Sequence, residues 1–314
     1  MNWNFTGYDQ KDDWSDITNL YSGLNQLEPG RIMWEPNSDL NKYGTPMVLM
    51  TIPMFTNHES VEGLYFDSSI TTPFHFVTVS GVAESPSNPV GGLSYINGDF
   101  DRGVRYMKEL GVDYFISYTD SITDKAIMSD ELENLFHSSP FTVFKIYSDK
   151  VQVVDAEVVN FSQPELVERI SNSIFKQEKT DSFFNLAMKE FKLDNKKRII
   201  EGIDTEESQI QNRIPGKKSE INNVRISNNE ITFETDHPNE LHIVKVSYFP
   251  NWKIENGSGP YRLSPSFMGV IPYSNEVSIT FENTSLEKSL NIISLIIFLL
   301  TAYLLVFRIK KYAE

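Results

Sequence analysis

Cysteine is absent from the 314 residues. That excludes disulfides, thiol nucleophiles and zinc-thiolate centres, and it leaves the compartment open because many exported domains carry no disulfide. Basic residues are scarce, with 28 Lys and Arg against 43 Asp and Glu, for a formal charge of −15. Without the four basic and two acidic residues of 287–314 the remainder stands near −17, which argues against nucleic acid or anionic headgroups as partners. The five histidines, at 58, 75, 137, 237 and 242, are scattered, with no His-X-His or His-Glu-X-X-His, so no metal site is expected. A glycine-rich phosphate loop, a dinucleotide fingerprint and a Gly-X-Ser-X-Gly elbow are also missing, and no cofactor is assigned. Finally, Met1-Asn-Trp-Asn-Phe-Thr-Gly-Tyr-Asp9 has neither the basic nor the apolar region of a signal peptide.

What the chain does have is a hydrophobic end. From Leu290 to Phe307 no residue is charged, and Arg308, Lys310 and Lys311 follow at once. As a helix this run is roughly 27 Å long, close to the ~30 Å hydrocarbon thickness of a bilayer. It reads as a membrane span over 288–308. The basic flank puts 309–314 in the cytoplasm and the main domain outside the cell membrane. A domain of that size with no export signal needs preceding spans, so the chain reads as the C-terminal part of a longer protein. A cytoplasmic tail-anchored protein is the alternative.

Hydrophobic content of 40% suffices for folded cores, and the patterning suggests an α+β protein. Residues 1–160 read as an α/β, Rossmann-like domain. Asp13 to Leu24 is an amphipathic helix capped by Asp12 or Asp13, and Arg31–Trp34 is a strand. Phe100–Leu110 is a helix stopped by Gly111, leading into an apolar strand over 112–118. Further strands, antiparallel to their neighbours, are expected at 141–147 and 151–154. Residues 161–220 form helices (164–170 and 181–191) and a polar linker from 204. From 221 to 285, alternation punctuated by Asn228-Asn229, Pro238-Asn239 and Asn256-Gly257 indicates an antiparallel β-sandwich beside the membrane. Asn-X-Ser/Thr sequons fall at Asn4, Asn160, Asn256 and Asn283.

The densest polar cluster directly follows the first strand. Trp34, Glu35, Asn37, Asp39 and Asn41 place carboxylates, amides and an aromatic ring in one loop, a set suited to sugar hydroxyls and a stacking face. Loops at the carboxyl ends of strands in α/β sheets are frequent ligand sites. Asx-turns and caps use the same residue types without any ligand. Glu62 and His75 form a second candidate group, although a histidine between Phe74 and Phe76 is also an ordinary packed residue. A hydrolase would require Glu35 with Glu62 or Asp39 about 5–10 Å apart in an open cleft. No catalytic residue is assigned. Trp252, Tyr261 and Arg262, in an aromatic-rich stretch near the span, are candidates for membrane-proximal contact.

Several of these motifs carry a resemblance. Trp3–Tyr8, Met33-Trp34-Glu35, Asn37–Asn41, Gly44-Thr45-Pro46-Met47, Glu62-Gly63-Leu64 and Thr71–Phe76 resemble segments of large multi-pass membrane proteins labelled 6-pyruvoyl-tetrahydropterin synthase-related, best known from actinobacteria. Tyr248-Phe-Pro-Asn-Trp252, Gly259-Pro260-Tyr261 and Ser264-Pro265 are similar to the juxtamembrane domain of those proteins. Through it they are similar to the C-terminal ectodomains of type C glycosyltransferase-like membrane proteins. The resemblance covers most of the chain outside 160–220. It departs at two points: the histidine–zinc site named by the label is missing, and so is the early inter-span loop that holds the superfamily's catalytic acid. The resemblance therefore implies a non-catalytic ectodomain in prokaryotic cell-envelope glycan assembly. Its expected partners are the bilayer, upstream spans or a partner membrane protein, and a glycan or polyprenyl-linked sugar. A stand-alone interaction subunit is the rival reading.

Overall fold

A computed structural model describes residues 6–11, 13–63, 71–91, 93, 95–159, 197–201 and 220–313. The expected helices at 164–170 and 181–191 and the linker up to 219 lie outside the described residues. The protein is a mixed α+β chain, with three sheets among the described residues and a C-terminal apolar helix. It divides into two compact units, whose first continuous stretch ends at Lys150.

The first unit is built on a five-stranded sheet of order β2-β1-β3-β5-β4. Helix α1 (Trp14–Leu24) precedes β1 (Arg31–Trp34), and a short helical turn, α2 (Ile52–Phe55), precedes β2 (Glu59–Ser60). Helices α3 (Thr72–Val82) and α4 (Phe100–Glu109) lead to β3 (Tyr114–Ser117). Helix α5 (Asp120–Met128), β4 (Leu132–Ser138) and β5 (Phe141–Ile146) complete it. Strand β1 runs parallel to β2 and β3, as the helix–glycine–strand pattern predicts. Beyond β3 the sheet turns antiparallel. Ser138 pairs with Phe141, and a two-residue turn can join only antiparallel strands. The sheet is thus mixed, with the 141–147 strand antiparallel as expected.

Alternation sends Ile32, Trp34, Tyr114 and Ile116 to one face, where they join Ile17, Leu20 and Leu24 of α1 in one core. Phe115 points to the other face and meets Phe100 of α4 with ring centroids 6.5 Å apart. There α3 and α4 pack through Gly81 and Gly103. A Cβ on Gly103 would lie 2.5 Å from Val82 Cγ1, so neither helix could come this close with a larger residue. Of the two expected caps of α1, Asp12 lies outside the described residues, and Asp13 is left-handed, with φ 60°, and forms no side-chain cap bond. Asp99 does cap α4, accepting from Arg102 N, and Gly111 ends that segment at φ 68°.

The second unit takes up β6 (Val151–Val153) and β7 (Asp155–Val159), which the sequence reading assigned to the first domain. The reason is register: Val151–Val153 pair with Val244–His242. One antiparallel sheet has the order β12-β15-β10-β9, from β9 (Ile221–Ile226), β10 (Glu230–Thr235), β12 (Trp252–Ile254) and β15 (Glu276–Phe281). The other runs β6-β11-β14-β13-β8-β7 and adds β8 (Lys197–Glu201), β11 (His242–Ser247), β13 (Gly257–Leu263) and β14 (Phe267–Pro272). Ile231, Phe233, Val277 and Ile279 of the first sheet share a core with Val151, Val244, Met268 and Val270 of the second. Strand β15 leads within four residues into α6 (Ser285–Ala313). This helix is long and apolar enough over Ser285–Leu305 to cross a membrane, and none of that stretch is buried in protein.

Candidate functional site

The loop after β1 is where the densest chemistry was expected, and its residues point in opposite directions. Trp34 is 2% exposed and sits in the core between α1 and the sheet, so it has no stacking face to offer. Glu35 is 0% exposed. Its backbone N–H donates to Ile116 O at 2.8 Å, extending the β1–β3 ladder by one bond. Its Oε2 accepts from Tyr118 N and Thr119 N, each at 2.9 Å, and its Oε1 accepts from the Thr119 hydroxyl at 2.8 Å and Glu84 N at 3.3 Å. The carboxylate thus ties the end of β1 to the loop entering α5 and to the chain leaving α3. All of its acceptor directions are committed, so it is neither a ligand contact nor an acid/base group. Asn37 Oδ1 accepts from Asp39 N at 2.9 Å and caps the 3-10 turn Ser38–Tyr43. Leu40 and Tyr43 anchor that turn from within, with the Tyr43 hydroxyl donating to Asp16 at 2.8 Å. Asp39 and Asn41 stay on the surface. Trp34, Glu35 and Asn37 of the predicted sugar-binding loop are therefore architecture, while the loop does lie at the carboxyl end of a strand and Asp39 and Asn41 stay exposed.

Glu62 and His75 do meet. Oε2 and Nε2 are 3.3 Å apart, at an angle that makes no hydrogen bond, and both side chains are nearly enclosed. His75 lies in the first turn of α3 and Glu84 just past its last, so roughly 10 Å of helix separates this pair from the Glu35 clamp. Glu35, sealed and fully hydrogen-bonded, does not stand in the open cleft that a hydrolase's paired carboxylates need. The membrane-proximal candidates divide between core and surface. Trp252 is buried in the second unit's core, edge-on to Phe281 at 5.2 Å, while Tyr261 and Arg262 are half-buried on β13.

An open polar concavity lies elsewhere among the described residues, on the outer face of the β12-β15-β10-β9 sheet. It is a trough of about 810 Å³. The same alternation that buries Ile231, Phe233, Val277 and Ile279 turns Thr232, Glu234, Glu276 and Ser278 outward to form its floor. Two turns raise its walls: Glu255-Asn256 between β12 and β13, and Ser274-Asn275 before β15. Those walls are fixed by hydrogen bonds. Glu255 N donates to Ser278 O at 3.1 Å, Tyr273 N to Asn256 O at 2.9 Å, and Asn275 Nδ2 to Thr235 O at 2.8 Å. On the far side Asn223 (φ 53°) bulges out of β9 and donates to Glu234 Oε1 at 2.8 Å. Arg225 is the single cation among the lining residues, against Glu234, Glu255 and Glu276.

The sequence does signal the floor, since two strands alternate with only polar residues outward. It hides the walls, because nothing local says that the turns at Glu255-Asn256 and Ser274-Asn275, far along the chain from β9, will rise beside it. Among the described residues no three histidine or carboxylate groups converge as a metal ion would require. Comparison with family models, curated proteins and solved structures finds no match to the chain.

Proposed function

We propose that the chain is the membrane-anchored, extracytoplasmic part of a type C glycosyltransferase-like membrane protein, and that it binds a neutral glycan or acceptor in cell-envelope assembly without performing chemistry on it. The reading takes the first unit as Rossmann-like and the second as a β-sandwich beside the membrane. The observation that carries it is the trough. Its volume falls within the ~300–1,000 Å³ typical of small-ligand sites. Asparagine amides, hydroxyls and carboxylates line it, and these are the donors and acceptors that sugar hydroxyls pair with. Three carboxylates against one guanidinium disfavour an anionic ligand. An apolar helix at the same unit's C-terminus supplies the tether.

A glycan panel probed with the full chain in detergent micelles tests this reading. Binding of neutral envelope oligosaccharides should fall at least tenfold in Asn256→Ala and Glu276→Ala and stay unchanged in Asp39→Ala. Equal binding by all three variants would refute the assignment. For orientation, protease added to spheroplasts should remove the region before 285, and complete protection would reverse it.

The non-catalytic interaction subunit keeps one observation in its favour. Met47, Met54 and Phe55 of the first unit are all exposed apolar side chains.

A further inference from the structure

Helix α6 does not hang from the second unit on a free linker. Thr284 and Glu287 form a capping box at its start: Glu287 N donates to Thr284 Oγ1 at 3.2 Å, and Thr284 N donates back to Glu287 Oε2 at 2.6 Å. The same Oε2 accepts from Asn251 Nδ2 at 2.8 Å. Asn251 also receives Glu282 N on its carbonyl at 2.9 Å. One buried asparagine in the β11–β12 loop thus holds the chain both before and inside the first turn of α6. Next to it two aromatic rings stand in the open. Phe249 is 52% exposed and Phe281 37%, and they stack on each other with centroids 6.0 Å apart. Trp252 backs Phe281 from the core side.

We propose that Phe249 and Phe281 seat the second unit on the lipid bilayer, inserting into the interfacial layer beside the span. The proposal rests on α6 being a membrane helix, and depth is what selects the bilayer as occupant. Asn251 touches Glu287, and the charge-free run begins three residues later at Leu290, about 4.5 Å along the axis. The interfacial layer on each side of the hydrocarbon is itself about 5–7 Å thick. The loop carrying Phe249 therefore lies at headgroup depth, where aromatic rings gather. Seated this way, the unit holds its trough away from the membrane. Glu276 and Phe281 are at opposite ends of β15, about 17 Å apart. The trough residues Ser274–Ser278 occupy the distal end, open to a ligand presented from outside.

The absence of cysteine makes the test direct. Phe249→Cys, Pro250→Cys, Tyr273→Cys and Ile296→Cys are each labelled with one fluorophore on the full chain, reconstituted in phosphatidylcholine nanodiscs carrying spin-labelled lipid. Quenching should be strong at 296, at least threefold stronger at 249 and 250 than at 273, and near background at 273. Asn251→Ala should lower quenching at 249 and leave 296 unchanged. Quenching at 296 together with none above background at both 249 and 250 would overturn the seating while leaving the span. Absence of quenching at 296 would overturn the span and the seating together.

Discussion

The two units treat their polar residues in opposite ways. In the first, the carboxylate that looked most like a ligand contact, Glu35, is sealed inside and spends all its hydrogen bonds on the protein. In the second, Glu234, Glu255 and Glu276 stay at the surface of a trough whose walls are fixed by backbone and amide bonds. A dense polar cluster in a sequence therefore says little about where a ligand binds. What separates the two regions is whether the local donors already satisfy the acceptors. A buried carboxylate must be satisfied internally because water cannot do it, whereas one on a sheet face is free to serve a partner.

The largest expected effect breaks the first half of this comparison. Glu35→Ala strands the Tyr118, Thr119 and Glu84 donors in a water-free site, at a cost of about 3 kcal/mol or more. Glu35→Gln is nearly isosteric but turns an NH₂ group toward those donors, and should fall between alanine and wild type. Urea unfolding of the full chain checks both. A loss below ~1 kcal/mol for Glu35→Ala would mean that the clamp is not structural.

Much of the framework was legible in the sequence. Ile17, Leu20, Tyr21 and Leu24 recur at helical spacing and are buried; Val277 and Ile279 alternate and are buried too. Helix α3 escaped the reading. Its run Phe74-His-Phe-Val-Thr-Val-Ser-Gly-Val82 has no polar face, because all nine residues are buried, and many are β-branched. Amphipathic periodicity cannot mark a helix that is enclosed all round. The Glu35 clamp was illegible for another reason. Its partners Glu84, Tyr118 and Thr119 lie 49 to 84 residues away, and only the fold brings them together. The trough was half legible, in its floor but not its walls.

A smaller effect sharpens the contrast through pH. Burial and the nearby Arg31 pull the Lys150 ammonium down to about 8 despite the Asp113 carboxylate 2.6 Å away. Between about pH 8 and 10 the unfolded chain then holds a proton that the folded one has released, so stability of the first unit rises with pH. The gain is of order 1 kcal/mol, less than the full shift implies because part of the side chain stays in water. Burial pushes the Tyr43, Tyr114 and Tyr118 phenols up, so above pH ~10 the unfolded chain loses protons first and stability falls. Thermal melts across pH 7–11 should show this maximum, and Lys150→Met should flatten its rising side. A monotonic decline from pH 7 in the wild type would contradict the account.

The smallest effect falls on the surface half of the former candidate loop. Asp39→Ala and Asn41→Ala should each change stability by less than ~0.5 kcal/mol, since both side chains face solvent. A change above 1 kcal/mol in the same melts would mean that the loop does more than present two solvated groups.

On the proposed function, ligands meet the second unit's trough and not the loop after β1. Hydrogen–deuterium exchange on the full chain in nanodiscs, with and without a neutral envelope oligosaccharide, tests it most directly. Added protection is expected in peptides covering 255–257 and 273–278, with none over 34–46. Protection confined to 34–46, with the trough unchanged, would contradict it.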